Sequence, residues 1–130
     1  MEKPSDLVER ECWEFLALAS VGRIALSVNA LPEILPVQYY LDGQTLAICL
    51  GQYDLPATSI NNTVIAFAAD SIDDSSRSGW TVQVEGVMEV PMVDGVPRDC
   101  GQTAAGQVVH VEPATVNGHR FNLCPFVAGF

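Results

Sequence analysis

The sequence predicts a mainly β fold, a small antiparallel barrel formed by one domain spanning residues 1–130. Three observations carry this reading: about six segments with strand-like patterning, a tight hairpin turn at Asp42-Gly43, and one amphipathic helix near the N-terminus. A doubly wound sheet would need strands and helices in alternation, and that pattern is missing. An apolar content of 48% against 17% charged residues is enough to build one ordered core.

In chain order, Ser5 is placed to cap a helix whose positions Val8, Cys12, Phe15, Leu16 and Ala19 follow the 3.6-residue period. Asp6 and Glu9 suit the positive end of its dipole. After Gly22, Ile24, Leu26 and Val28 alternate with Arg23, Ala25 and Ser27 as a half-buried strand does, and Asn29 to Pro32 turns the chain. Ile34 to Tyr40 and Thr45 to Leu50 form the two arms of a hairpin, with Asp42-Gly43 supplying the positive-φ residues between them. Leu55 to Ile60 reads as a short helical turn, Val64 to Ala69 as an apolar strand, and Asp70 to Ser78 as a polar loop. Trp80 to about Val90 alternates over a long strand that Gly86 bends at a bulge. Pro91 ends the pairing, Asp94 to Gly106 is loop, and Val108 to Val111 is the last strand. The segment from Phe121 to Phe130 is apolar enough to pack against something, such as a partner subunit.

Composition excludes several functions. A net charge of −10 with six basic residues opposes nucleic-acid binding, which depends on cations replacing counterions at phosphates. No apolar run reaches the ~20 residues of a membrane-spanning helix, and the first residues lack the order of a secretory signal, so a cytoplasmic location is expected. Cys12, Cys49, Cys100 and Cys124 are too scattered for a zinc site, and no metal is expected. His110 and His119 have no carboxylate beside them and receive no role.

Several motifs together resemble the pyridoxamine 5′-phosphate oxidase-like split-barrel family. They are Val21-Gly22-Arg23-Ile24-Ala25, Pro36-Val37-Gln38-Tyr39, Asp42-Gly43-x-Thr45-Leu46 and Phe67-x-x-Asp70. Ser78-Gly79-Trp80-Thr81-Val82-x-Val84-x-Gly86 and Val109-x-Val111-x-Pro113-x-x-Val116-x-Gly118-x-Arg120 follow in order, so the likeness covers roughly residues 5–120. The resemblance implies a six-stranded antiparallel split β-barrel of Greek-key type with an N-terminal helix and few short helices. It also implies a homodimer with cofactor sites at its interface, FMN or the deazaflavin coenzyme factor 420 as cofactor, and hydride transfer to an unknown small molecule. Pro36, Val37, Gln38 and Tyr39 would run beside the flavin ring, while Cys49, Leu50 and Gly51 would lead into the phosphate turn. Trp80 would come from the partner strand region near the interface.

The family commonly has Lys or Arg just after the third strand, where this chain has Gly51-Gln52-Tyr53-Asp54-Leu55. Arg23, Arg77 or Arg120 would then have to supply the missing cation, with Arg23 first because it belongs to a matched motif. The shorter, less helical stretch from Pro91 to Gln107 is a second departure. The alternative reading is a cofactor-free split-barrel dimer with a binding or structural role, Asp54 having replaced the phosphate-site cation. A cleft for haem is a third.

Overall fold

The structure is a computed structural model that describes residues 5–51, 53, 55–93, 96–97 and 107–124. Asp54, Cys100, most of the Pro91–Gln107 connection and the tail beyond Cys124 lie outside the described residues. The elements are β1 (Ser5–Asp6), α1 (Glu9–Leu18), β2 (Val21–Val28), β3 (Leu31–Asp42), β4 (Thr45–Cys49) and α2 (Ala57–Ile60). They continue with β5 (Thr63–Asp73), β6 (Ser78–Glu89), β7 (Met92–Val93), β8 (Val96–Pro97) and β9 (Val108–Asn122).

Six strands close a ring in the order β9-β4-β3-β2-β5-β6, with β6 pairing back to β9, and every pairing is antiparallel. The meander β2-β3-β4 is followed by β5, which crosses to lie beside β2, and this is the Greek-key order. Strand β1 adds to β9 alongside Arg120 and His119, and β7 pairs with β8 as a separate ribbon. Inward residues such as Ile24, Val37, Ile48, Phe67, Val84 and Val109 fill the barrel, each at most 2% exposed. Helix α1 is docked through Cys12 and Leu16, both fully buried, and through Phe15, which stacks on Trp80 at 4.8 Å. Among the described residues no helix is long and apolar enough to cross a membrane.

The expected loop from Asp94 contains β8, which pairs with β7 beyond Pro91, and five further boundaries shift for local reasons. Ser5 does not cap α1: it pairs with Arg120, and the helix starts four residues later, where Glu11 accepts the Val8 backbone N–H at 3.2 Å. The first turn narrows to Asn29 and Ala30, both at positive φ, so Pro32 already lies in β3 opposite Ser27. In the second hairpin Gly43 takes φ 61°, whereas Asp42 belongs to the strand and pairs with Thr45. The expected polar loop shrinks to a four-residue turn because Asp70 to Asp73 continue β5, pairing with Thr81 to Ser78. Strand β9 runs on past Pro113 to Asn122, because a bulge leaves Ala114 unpaired between Gly86–Pro113 and Glu85–Thr115. Gly86 itself is required there, since a Cβ would sit 2.5 Å from the Glu112 carbonyl oxygen.

Candidate functional site

Even-numbered residues of β3 face outward, and pairing with β4 stops at Gln38 opposite Cys49. Residues Asp42, Tyr40 and Gln38 share the backbone orientation of the pair that closes the two-residue turn, so Pro36 and Pro32 direct their backbone toward an edge that β4 no longer covers. A proline costs no ladder bond at such an edge. The Tyr53 hydroxyl fills part of the gap by donating to the Pro36 carbonyl at 2.5 Å.

The outer surface next to this edge is built in rows across neighbouring strands. Cys49, Gln38 and Val21 form one row, and Pro36, Arg23, Ala68 and Gln83 form the next. Ile34, Ala25, Ala66 and Glu85 form a third. The small side chains of Ala25, Ala66 and Ala68 leave a shallow depression of about 290 Å³, walled by Ile34, Arg23 and Gln83. Its floor is apolar, and its rim carries the Arg23 guanidinium and the Gln83 carboxamide. That combination suits a planar ring with a polar edge, or the side chains of a second barrel.

The depression's guanidinium is already engaged, because Arg23 Nη1 lies 3.1 Å from Asp70 Oδ2 on the neighbouring strand β5. The other described arginines are also within ion-pair distance of a carboxylate: Arg10 with Glu14 (3.7 Å), Arg77 with Asp74 (3.9 Å) and Arg120 with Glu11 (3.6 Å). Lys3 and Arg98 lie outside the described residues.

Of the expected site residues, Arg23, Pro36, Gln38 and Cys49 share the outer face, and Gly51 lies in the exposed turn that follows β4. The side chains of Val37, Tyr39 and Leu50 point into the barrel, at 2%, 5% and 1% exposure. Trp80 packs beneath α1 against Phe15, and with Arg120, Ser5, Ser71 and Asp73 it lines a separate polar depression of about 430 Å³. Sequence assigns no site role to Asp70, Tyr53 or the alanine floor, although Asp70 belongs to a matched motif. The alternation of Ile65, Phe67 and Ala69 with Ala66 and Ala68 was the available signal for the floor.

Tyr39 has a structural role that can be measured. Its hydroxyl donates to the Leu16 carbonyl at 2.6 Å, satisfying one of the unpaired carbonyls of the last turn of α1. Burial pushes the phenol from 10.0 up to about 12. The neutral form is therefore favoured in the fold: its contribution is whole below pH 10.0 and is lost as the pH rises toward about 12. Tyr39→Phe should cost about 1–2 kcal/mol at neutral pH by stranding that carbonyl, and should abolish this alkaline loss. Urea unfolding of both proteins across that pH window is the check, and identical slopes would refute the assignment.

Comparison with known proteins gives three findings. A family model described as pyridoxamine 5′-phosphate oxidase matches residues 8–120. An uncharacterized protein of Mycobacterium tuberculosis is 29% identical in an alignment 127 positions long that covers 88% of this chain and 84% of the relative. Solved structures also share the fold, two FAD-binding proteins among them. An FAD-binding protein from Mycobacterium smegmatis superposes with a TM-score of 0.71 at 24% identity, covering 92% of this chain and 100% of its own. An FAD-binding protein from Mesorhizobium loti gives 0.68 at 18% identity, covering 93% and 100%.

Proposed function

This chain belongs to the pyridoxamine 5′-phosphate oxidase family, and from that premise we propose that it binds a flavin-type cofactor, FMN or the deazaflavin factor 420, and transfers a hydride to or from a small molecule. The observation that carries this reading is the outer-face set of Val21, Arg23, Pro36, Gln38 and Cys49 beside the alanine-floored depression. Its chemistry fits the group: a carboxamide both donates and accepts, as the imide edge of an isoalloxazine requires.

When bound, the ring would supply the hydride chemistry, and the protein's part is to hold and orient it. Gln38 would engage the imide edge, Pro36 and Val21 would lie against the ring, and Arg23, held by Asp70, would stand at the rim beside the ring's side chain. Tyr53 fixes the Pro36 carbonyl and with it the strand edge. A second copy of the chain would close the site from outside. In support, Val21, Ile34, Val64 and Val87 on β2, β3, β5 and β6 are 55%, 69%, 72% and 42% exposed, apolar area that a monomer would leave in water.

The second reading is a cofactor-free dimer, favoured by the pairing of all four described guanidiniums with carboxylates. Fluorescence titration of purified protein with FMN and with factor 420, beside sedimentation velocity, separates the two. Saturable binding by a particle of twice the 14.0 kDa chain mass is expected. No saturable change with either compound up to millimolar concentration would remove the oxidoreductase reading and leave the cofactor-free one. Sedimentation at the chain mass alone would remove the shared cleft.

A further inference from the structure

We propose that Asp70 is a specificity-determining residue of the outer-face site: by holding Arg23 it selects against ligands ending in a phosphomonoester and in favour of the same ring without one. The inference rests on the flavin reading for the identity of the ring, but not for the behaviour of the ion pair.

The geometry is specific to this pair of strands. Arg23 faces outward from β2 directly opposite Pro36 on one side and Ala68 on the other, so its guanidinium overhangs the depression. Asp70 is two positions beyond Ala68 and therefore on the same face of β5, and its carboxylate reaches Nη1 at 3.1 Å. The side chains of Arg23 and Asp70 are 60% and 32% exposed, so the pair itself adds little to stability. It has a clear effect on recognition. A phosphate arriving at Arg23 meets a guanidinium that a carboxylate has already neutralised, and must either displace Asp70 or sit beside it.

Glu85 sharpens the effect, since it lies on the same outer face in the row after Gln83, whose amide donates to it at 3.4 Å. Arg23 alone of these lines the depression, while Asp70 and Glu85 lie beside it on the same outer face, so two carboxylates accompany one cation and the local field opposes a dianion. A ring with a neutral side chain meets no such penalty. The motif Phe67-x-x-Asp70 thus has a division of labour: Phe67 fills the core and Asp70 sets the charge outside it.

The test compares FMN with riboflavin, which share the ring and differ by the phosphate, on wild type, Asp70→Asn and a control, Asp74→Asn, at the separate Arg77 pair. Riboflavin affinity should be equal in all three. FMN should bind Asp70→Asn about tenfold more tightly than wild type, with the gain shrinking as salt is added. The Asp74→Asn protein should match wild type. An unchanged ratio of FMN to riboflavin affinity in Asp70→Asn overturns the proposal, and Asp70→Ser replaces that variant if its circular dichroism departs from wild type.

If neither flavin binds any variant, the flavin reading fails and inorganic phosphate decides the inference alone. The Arg23 Nε–H resonance, assigned by its loss in Arg23→Lys, should shift saturably with phosphate in Asp70→Asn and not in wild type. Equal responses would overturn it.

Discussion

Phe67→Ala is expected to destabilise the protein by about 3–5 kcal/mol, a large share of the roughly 5–15 kcal/mol that holds a domain of this size together. Phe67 is 1% exposed and meets Tyr39 edge to face, with centroids 4.8 Å apart and planes at 68°. Its ring spans the barrel from β5 to the start of β2, where Gly22 leaves room for it. Truncation removes the ring's apolar burial and opens a void that the surrounding antiparallel strands cannot collapse into without breaking their pairing. Guanidinium unfolding should show a lower midpoint with unchanged slope. A loss below about 1 kcal/mol would mean that the ring is not packed as described.

Gly22→Ala is the second large effect, at about 2–3 kcal/mol, and its cause is the opposite one. A Cβ on Gly22 would lie 2.4 Å from Phe67 Cζ and 2.7 Å from the Ala68 carbonyl oxygen. The ring has nowhere to turn inside the core, and the carbonyl belongs to the strand that pairs with β2. Because the two substitutions act at one contact, they should not add. Phe67→Ala removes the nearer obstacle, so the double variant should be less destabilised than the sum by about 1 kcal/mol. A thermodynamic cycle with no coupling would show that the two residues do not compete for the same space.

The strands were legible where a period of two separates core from solvent, as in Ile24, Leu26 and Val28 or Val82 and Val84. The bulge at Gly86 was legible because glycine interrupts that period. The ends of elements were not. Two residues of β1 are too few to carry a pattern, and Ser5 looks like a helix cap until Arg120, more than a hundred positions away, pairs with it. Pro113 reads as a terminator, yet the bulge at Ala114 carries β9 past it. The polar run from Asp70 to Asp73 looks like loop because its pairing partners lie on β6 and not in its own composition.

For the site, sequence could say that Tyr39 and Tyr40 face opposite ways, but not which one faces inward. The fold decides it, placing Tyr39 under Leu16 and leaving Tyr40 51% exposed. The Arg23–Asp70 and Tyr53–Pro36 contacts bridge 47 and 17 positions. No local pattern encodes such distances.

Strand β9 bonds to β4 on one side and β6 on the other, and so it is the piece that turns five strands into a ring. On the ribosome, everything from β2 to β6 is made before it, so the nascent chain carries two unsatisfied sheet borders until residues 108–122 emerge. Such borders recruit neighbouring polypeptides. Synthesis stalled or truncated ahead of Val108 should therefore yield a product that depends on chaperones or precipitates, whereas the finished chain seals itself.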